Sequence, residues 1–494
     1  MYNLRGNQRT AGELSRQEGG KVFGAGSRAT VAIVFLVKTG NASTGGGPGR
    51  LLYRDIGDYL SREQKLDIVD HGFLDSIEWQ ALSPNDHGDW INPRRDDFDK
   101  FAPIGDKNRP SVFSLRSSGL KTNRDPWSYG SERADLSGRL QSMIDYYEDL
   151  RVMGRRAPET VETARISWTD TTRKDLARGR ALSFDEAGLR TGTYRPFFKQ
   201  HVYFDADLNE RRYQLPKIFP TRDHANIGIC VTGVSSHYNF TPFIADCLPD
   251  LHLLDTGQFF PRYTYGRAED DGGFDFGEET DDHGYRRLDN ITDTALKDYR
   301  ATYGGQVSKD DIFYYVYGLL HSPTYRSEFA ADLKKMLPRI PKVCDLGGFA
   351  EAGRALADLH LHYEIVEPYP LDEIVIGSGA GDRLYRVQKM VFAKGPKGRD
   401  RTRIVYNSRI TVAGIPEAAY RYQLGSRSAV EWIMDRYQVR TDKPSGIVND
   451  PNDWAVEHGE PRYILDLLKR IVTVSIETMK VIDSLPPLDI IEGK

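Results

Sequence analysis

The longest apolar run in the 494-residue chain, Ala29-Thr-Val-Ala-Ile-Val-Phe-Leu-Val37, is only nine residues long. That is half of the roughly 18 residues needed to cross a bilayer, so the chain is read as having no membrane span. Nine residues is a strand's length. The run is β-branched and apolar on both faces, which predicts a central strand of a covered α/β sheet. A Gly/Ser/Pro-rich loop follows from Gly40 to Gly49. Arg50–Tyr53 then reads as a short strand. Ser61, with Glu63 and Gln64 in the first turn, is the expected cap of a helix reaching Val69. Ile77–Trp79 is read as a further strand, and Leu136–Val152 as an amphipathic helix leading out of a first unit. At roughly 100–200 residues per domain, the length predicts two to four units.

From about Thr163 the texture changes to short strands with frequent turns: Ala164–Trp168, Val202–Phe204 and Ile227–Thr232. Arg267–Asp282 reads as an acidic, Gly-rich exposed insertion, with Glu269–Asp282 expected to face away from any polyanion or to contact another domain. Thr292–Leu337 reads as helical, with Ser308 as an N-cap and Pro323 opening a second helix. Gly348–Tyr363, Val430–Tyr437 and Tyr463–Ile482 read as helices, and Tyr385–Phe392, Thr402–Tyr406 and Ser408–Val412 as strands.

Cys230, Cys247 and Cys344 are odd in number and widely spaced, so neither a disulfide framework nor a zinc site is expected, and all three read as small apolar side chains. There is no Gly-x-x-x-x-Gly-Lys-Ser/Thr loop. Two glycine clusters resemble nucleotide loops. Gly377, Gly379 and Gly381 precede what reads as a strand where the fingerprint needs a helix. Val343–Gly348 lacks a buried strand before it, which favours a plain helix start. His321 and His360 read as satisfied interior or helix-surface groups.

Lys and Arg (67) do not outnumber Asp and Glu (71), so any DNA site requires local segregation of charge. Three groups supply it: Lys394, Lys397, Arg399, Arg401 and Arg403 on a hairpin tip; Arg195, Lys199, Arg211 and Arg212; and Arg5, Arg9, Arg16 and Lys21. Such loops either follow phosphates or are merely solvated. Gln258 and Arg262 are candidates for bidentate base reading, as are Ser235, Ser236, His237 and Asn239, with a structural role the alternative for each.

Tyr2–Thr10, Gly19–Arg28 and the Ala29–Val37 run resemble the latter half of an N6-adenine DNA methyltransferase core. The resemblance gives Phe23 the place of the aromatic that stacks on a flipped adenine. A core aromatic is the other reading of Phe23, and Gly24, Gly26 and Arg28 beside it favour exposure, as they do for Arg28 as a DNA contact.

A more specific likeness lies further on. It is carried by Tyr194-Arg-Pro-Phe-Phe-Lys199, Gln214–Pro220, Asp246–Leu251, Gln258–Tyr263, Ile312–Pro323, Leu337–Pro341 and Ser445–Trp454. Together these resemble the C-terminal specificity domain of type ISP restriction-modification enzymes, the LlaBIII-like group. The resemblance implies an α/β protein: the C-terminal remnant of a Rossmann-like methyltransferase domain over residues 1–155, then a larger mixed α/β target-recognition domain over 156–494. It implies double-stranded DNA as partner, alongside the methyltransferase, helicase and nuclease portions, in the cytoplasm. S-adenosylmethionine is implied for the complete enzyme only, because neither its glycine loop nor an Asn/Asp-Pro-Pro-Tyr loop is present; Asn92-Pro93-Arg94 does not substitute. The opening on a strand is expected of a truncated or split reading frame. The alternative is a non-enzymatic DNA-binding or protein-interaction remnant.

Overall fold

Three serines, Ser61, Ser308 and Ser428, start helices by the same reciprocal pair of hydrogen bonds. Ser61 Oγ accepts from the Gln64 amide at 3.2 Å while Gln64 Oε1 accepts from the Ser61 amide at 2.8 Å, opening Arg62–Asp70. Ser308 and Asp311 do likewise at 3.1 and 2.9 Å, opening Lys309–His321. Each satisfies donors that a helix start leaves orphaned. The computed structural model describes residues 1–9, 12–24, 27–37, 49–158, 163–234, 236–267, 280–377, 381–396 and 398–491. Ser235, Lys397, nearly all of the Gly40–Gly49 loop and most of the acidic insertion lie outside these.

The fold is mixed α/β, as expected. An N-terminal sheet has the order Val31–Ile33, Tyr2–Arg5, Leu51–Asp55, Gln80–Leu82, with one parallel pair between its middle strands. Here the nine-residue run departs from its reading. Only Val31–Ile33 is strand, and it is an edge. Val34 to Val37 carry 51–90% exposed side chains, because no neighbour covers that edge among the described residues. The sheet's own core is three buried residues, Tyr2, Leu4 and Val22.

Three more four-stranded sheets build the larger body. The central one runs Pro242–Ala245, Gly228–Val231, Gln258–Pro261, Ser117–Ser118, all antiparallel. A second runs Leu248–Pro249, Leu189–Arg195, Phe198–Tyr203, Tyr129–Gly130. The third runs Asp372–Val375, Ile410–Ala413, Gly398–Val405, Val391–Gly395. The helix Tyr463–Asp483 is apolar enough to be buried along its length, joining two cores: Leu465 and Leu468 lie in one, Ile482 in the other. No helix among the described residues is long and apolar enough to cross a membrane.

The helices Lys309–His321 and Leu346–Leu361 touch backbone to backbone. A Cβ on Gly318 would lie 2.1 Å from Phe349 O, and one on Gly353 would lie 1.9 Å from Tyr314 O. Only glycine fits at either position.

The hydrophobic core does not divide at residue 155. The helix Arg133–Val152 packs Leu136, Leu140 and Tyr147 against Leu176, Leu189 and Tyr203. The core of the N-terminal sheet ends at Trp79, and the next begins at Phe98. Ala164–Trp168 is not a strand but the approach to a helix, Asp170–Ala177, capped by Thr169. Tyr385–Phe392 is likewise mostly not strand, since Asp382–Tyr385 is a 3₁₀ turn and the strand starts at Val391. Cys230 is buried, but Cys344 is exposed rather than interior.

Candidate nucleic-acid interface

Neutralisation by carboxylates separates structural arginines from those able to meet a polyanion. Four candidates from the sequence are consumed. Arg195 is buried against Asp250 at 2.6 Å and lies 4.0 Å over the Tyr194 ring. Lys199 reaches Glu364 at 3.0 Å and Asp246 at 3.6 Å. Arg262 is 5% exposed and ties Asp289 to Asp310, the latter at 2.6 Å. Arg5 bonds Asp55 at 2.7 Å and also Asp58. A cation held against a carboxylate is not available to phosphate, so these four leave the candidate interface. The charge pattern along the chain cannot reveal this, because the carboxylates come from 50 or more residues away in three of the four cases.

What remains converges on the five residues Ser117 to Lys121. On one side Ser117 and Ser118 pair with Phe259 and Gln258. On the other, Lys121 and Arg211 exchange two backbone hydrogen bonds of 3.0 Å, and Ser117 Oγ accepts from the Gln214 amide at 3.1 Å. Leu120 bonds Pro249 and Leu251 across the end of the segment. Gly119 makes the crossing possible, since a Cβ there would stand 2.3 Å from Asp250 O. The result is a rim that carries Arg116, Lys121, Arg211 and Arg212. None of the four has a carboxylate within salt-bridge distance among the described residues.

Gln258 has a different role from the one expected. Its Nε2 donates to Ser118 Oγ at 2.9 Å and to Gly257 O at 3.3 Å, and its Oε1 accepts from Arg116. With both ends of the amide engaged, it aims the Arg116 guanidinium rather than reading a base. Arg116 and Lys121 stand in no basic cluster along the chain, so charge patterning passes over both. A cavity of about 450 Å³ opens beside Lys121, lined also by Asn123, Trp127, His252, Asp442 and Ser445.

Of the polar loop after Gly228–Val231, Ser236 is occupied: its Oγ donates to Asp255 at 2.9 Å, and the His237 amide donates to the same oxygen at 2.8 Å. His237 and Asn239 are exposed. In the hairpin of Val391–Gly395 and Gly398–Val405, Arg401 lies 4.1 Å over Tyr420 and 3.8 Å from Glu417. Lys394, Arg399 and Arg403 are exposed and have no carboxylate within salt-bridge distance among the described residues. A bulge between Phe392 and Ala393 in the register, braced by Asp400 and Thr402, re-aims this edge. In the N-terminal unit Phe23 is 56% exposed. Arg9 and Arg28 near it are exposed, Arg28 donating to Gln8 O at 3.3 Å.

His321 and His360 are interior. His360 accepts or donates at 2.7 Å with Tyr317 OH and at 2.9 Å with Thr478 Oγ1. Burial holds His321 down to about 3. No group of three or more metal-ligating side chains is found among the described residues. Neither glycine cluster has the strand–loop–helix surroundings of the nucleotide fingerprint, and Gly379 lies outside the described residues. Asp345 Oδ1 accepts from the Gly348 amide at 2.8 Å, filling the helix start itself, and the strand before it is two residues, antiparallel. Asp372–Val375 is also antiparallel, and a 3₁₀ turn rather than a helix follows it.

The fold thus defines a mixed α/β module that carries exposed cations both on the rim and on the hairpin of Val391–Gly395 and Gly398–Val405. The family model of the type ISP C-terminal specificity domain matches residues 111–467, and the chain belongs to that family. It is similar to a nuclease-deletion mutant of the type ISP restriction-modification enzyme LlaGI solved with a DNA substrate mimic: 38% identity, TM-score 0.84, 99% of this chain and 44% of that one. It is also similar to the ATP-dependent type ISP enzyme LlaBIII bound to DNA (33%, 0.84, 99% and 31%) and to a DrdV–DNA complex (29%, 0.82, 98% and 47%). The chain therefore spans less than half of each. No protein of curated function matches it. Two of the runs named for that resemblance fall on the scaffold of the rim: Asp246–Leu251 holds Leu120, and Gln258–Tyr263 pairs with Ser117–Ser118.

Proposed function

We propose that this chain is the sequence-recognition part of a type ISP restriction-modification system, holding duplex DNA along the rim of Arg116, Lys121, Arg211 and Arg212. The observation that carries this is the sorting of the candidate cations: Arg5, Arg195, Lys199 and Arg262 are paired with carboxylates, while the rim's four have none within salt-bridge distance among the described residues. Exposed Lys394, Arg399 and Arg403 supply a second phosphate contact, and Arg9 and Arg28 flank Phe23 as the place for an extruded adenine. Methyl transfer to that adenine from S-adenosylmethionine belongs to residues outside this chain. Phosphate contacts position and only base contacts specify, so the rim sets register while exposed polar groups such as His237 and Asn239 read.

Anisotropy of a labelled duplex against salt tests the reading. Four neutralised phosphates predict an affinity that falls about a hundred-fold as salt rises fourfold. An affinity flat in salt, or none, sinks DNA recognition and favours a protein-interaction remnant.

A further inference from the structure

Tyr213 sits inside the rim and has no role in the scaffold. Its backbone φ is +48°, in the left-handed region, where a bulky residue is strained. Both neighbours impose that conformation. Before it, Arg211 is fixed by its paired bonds to Lys121. After it, the Gln214 amide is held by Ser117 Oγ and Leu215 is fully buried. The Tyr213 ring is 44% exposed and makes no hydrogen bond, ring contact or cation contact among the described residues. Thr256, two residues before Gln258, is also left-handed, at +58°, and exposed, so non-glycine strain recurs next to the same edge. Strain of this kind persists where surroundings enforce it, and it clusters at ligand-contacting sites. A glycine would relieve it without loss of any hydrogen bond, ring contact or cation contact among the described residues.

We infer that Tyr213 is a base-stacking residue: its ring covers the face of an unstacked base while Lys121, Arg211 and Arg212 hold the adjoining phosphates. This rests on the DNA-recognition reading above. The chemistry is that of an aromatic platform, which accepts any base because every base has a π face. A ring flanked by cations and projecting from an immobilised backbone has little ordering entropy left to lose on stacking.

The test uses the full chain and a labelled duplex carrying one unpaired 2-aminopurine. Wild type should quench the 2-aminopurine at saturation. Tyr213→Gly should lose the quench, bind this duplex roughly ten-fold more weakly, and melt at a higher temperature than wild type. Tyr213→Phe should keep the quench. Arg211→Ala should weaken binding yet quench normally once saturated. Full quenching by Tyr213→Gly at saturation, or binding by wild type without quenching, overturns the stacking role while leaving DNA recognition standing. Failure of wild type to bind any duplex overturns both.

Discussion

Replacing Arg195 with Met isolates what a buried cation does in this fold. Asp250 is 3% exposed, and its carboxylate receives three donors: Arg195 at 2.6 Å, the His252 amide at 2.8 Å and Tyr129 OH at 3.1 Å. Burial already pushes the Asp250 carboxyl above its usual range, with Arg195 opposing that shift. Removing the guanidinium leaves an uncompensated buried charge, at a cost of about 3–5 kcal/mol. In a body of this size that lowers Tm by roughly 3–6 °C. The sign of the pH dependence follows from the raised carboxyl. Above its folded pKa the penalty of ionised Asp250 is fully present, and it fades as pH falls and the carboxyl becomes neutral. Arg195→Met should therefore be most destabilised at neutral pH and approach wild type in mild acid. Arg195→Met/Asp250→Leu should recover most of the loss. Calorimetry across pH reads both effects. Below the melting temperature, the slope of DNA affinity against salt should match wild type. A wild-type Tm at neutral pH, or a reduced salt slope, would refute the assignment of Arg195 to the interior.

Three further outcomes are expected. Lys121→Ala and Arg211→Ala should each reduce the log–log salt slope by about 0.9, whereas Lys199→Ala should not; equal effects from all three would discredit the sorting of cations. Gly318→Ala and Gly353→Ala should each cost about 3 kcal/mol or more, since the new methyl meets a backbone carbonyl on the facing helix and cannot be accommodated by a rotamer change; urea midpoints measure this. Stability should fall as pH drops from about 6.5 toward about 3, because the unfolded chain protonates His321 and the folded one does not; His321→Phe should flatten the Tm–pH curve over that window.

Local signals along the chain were readable where the physics is local. The reciprocal caps at Ser61 and Ser308, Pro323 at a helix start, and the periodicity of Tyr463–Asp483 all specify their elements within a few residues. The two-residue strands Ser117–Ser118 and Leu248–Pro249 were not readable, because pairing with distant partners defines them rather than any pattern of their own. Ala29–Val37 misleads for a related reason: an apolar run states that it prefers cover, not that cover is supplied. The same limit governs the site. Arg195 and Arg211 look alike in sequence, and only Asp250, far along the chain, separates a structural cation from an exposed one. Arg116 gains its place through Gln258, 142 residues away.

The crossing at Ser117–Lys121 also orders events in time. Its contacts to Gln214 and Gln258 close loops of 97 and 140 residues. Loops of that length cost chain entropy that local helices do not, which places closure of the crossing after formation of the helices. Duplex binding during refolding is then a late reporter, rising after helical signal has recovered. A nascent chain therefore carries its helices before this crossing can form.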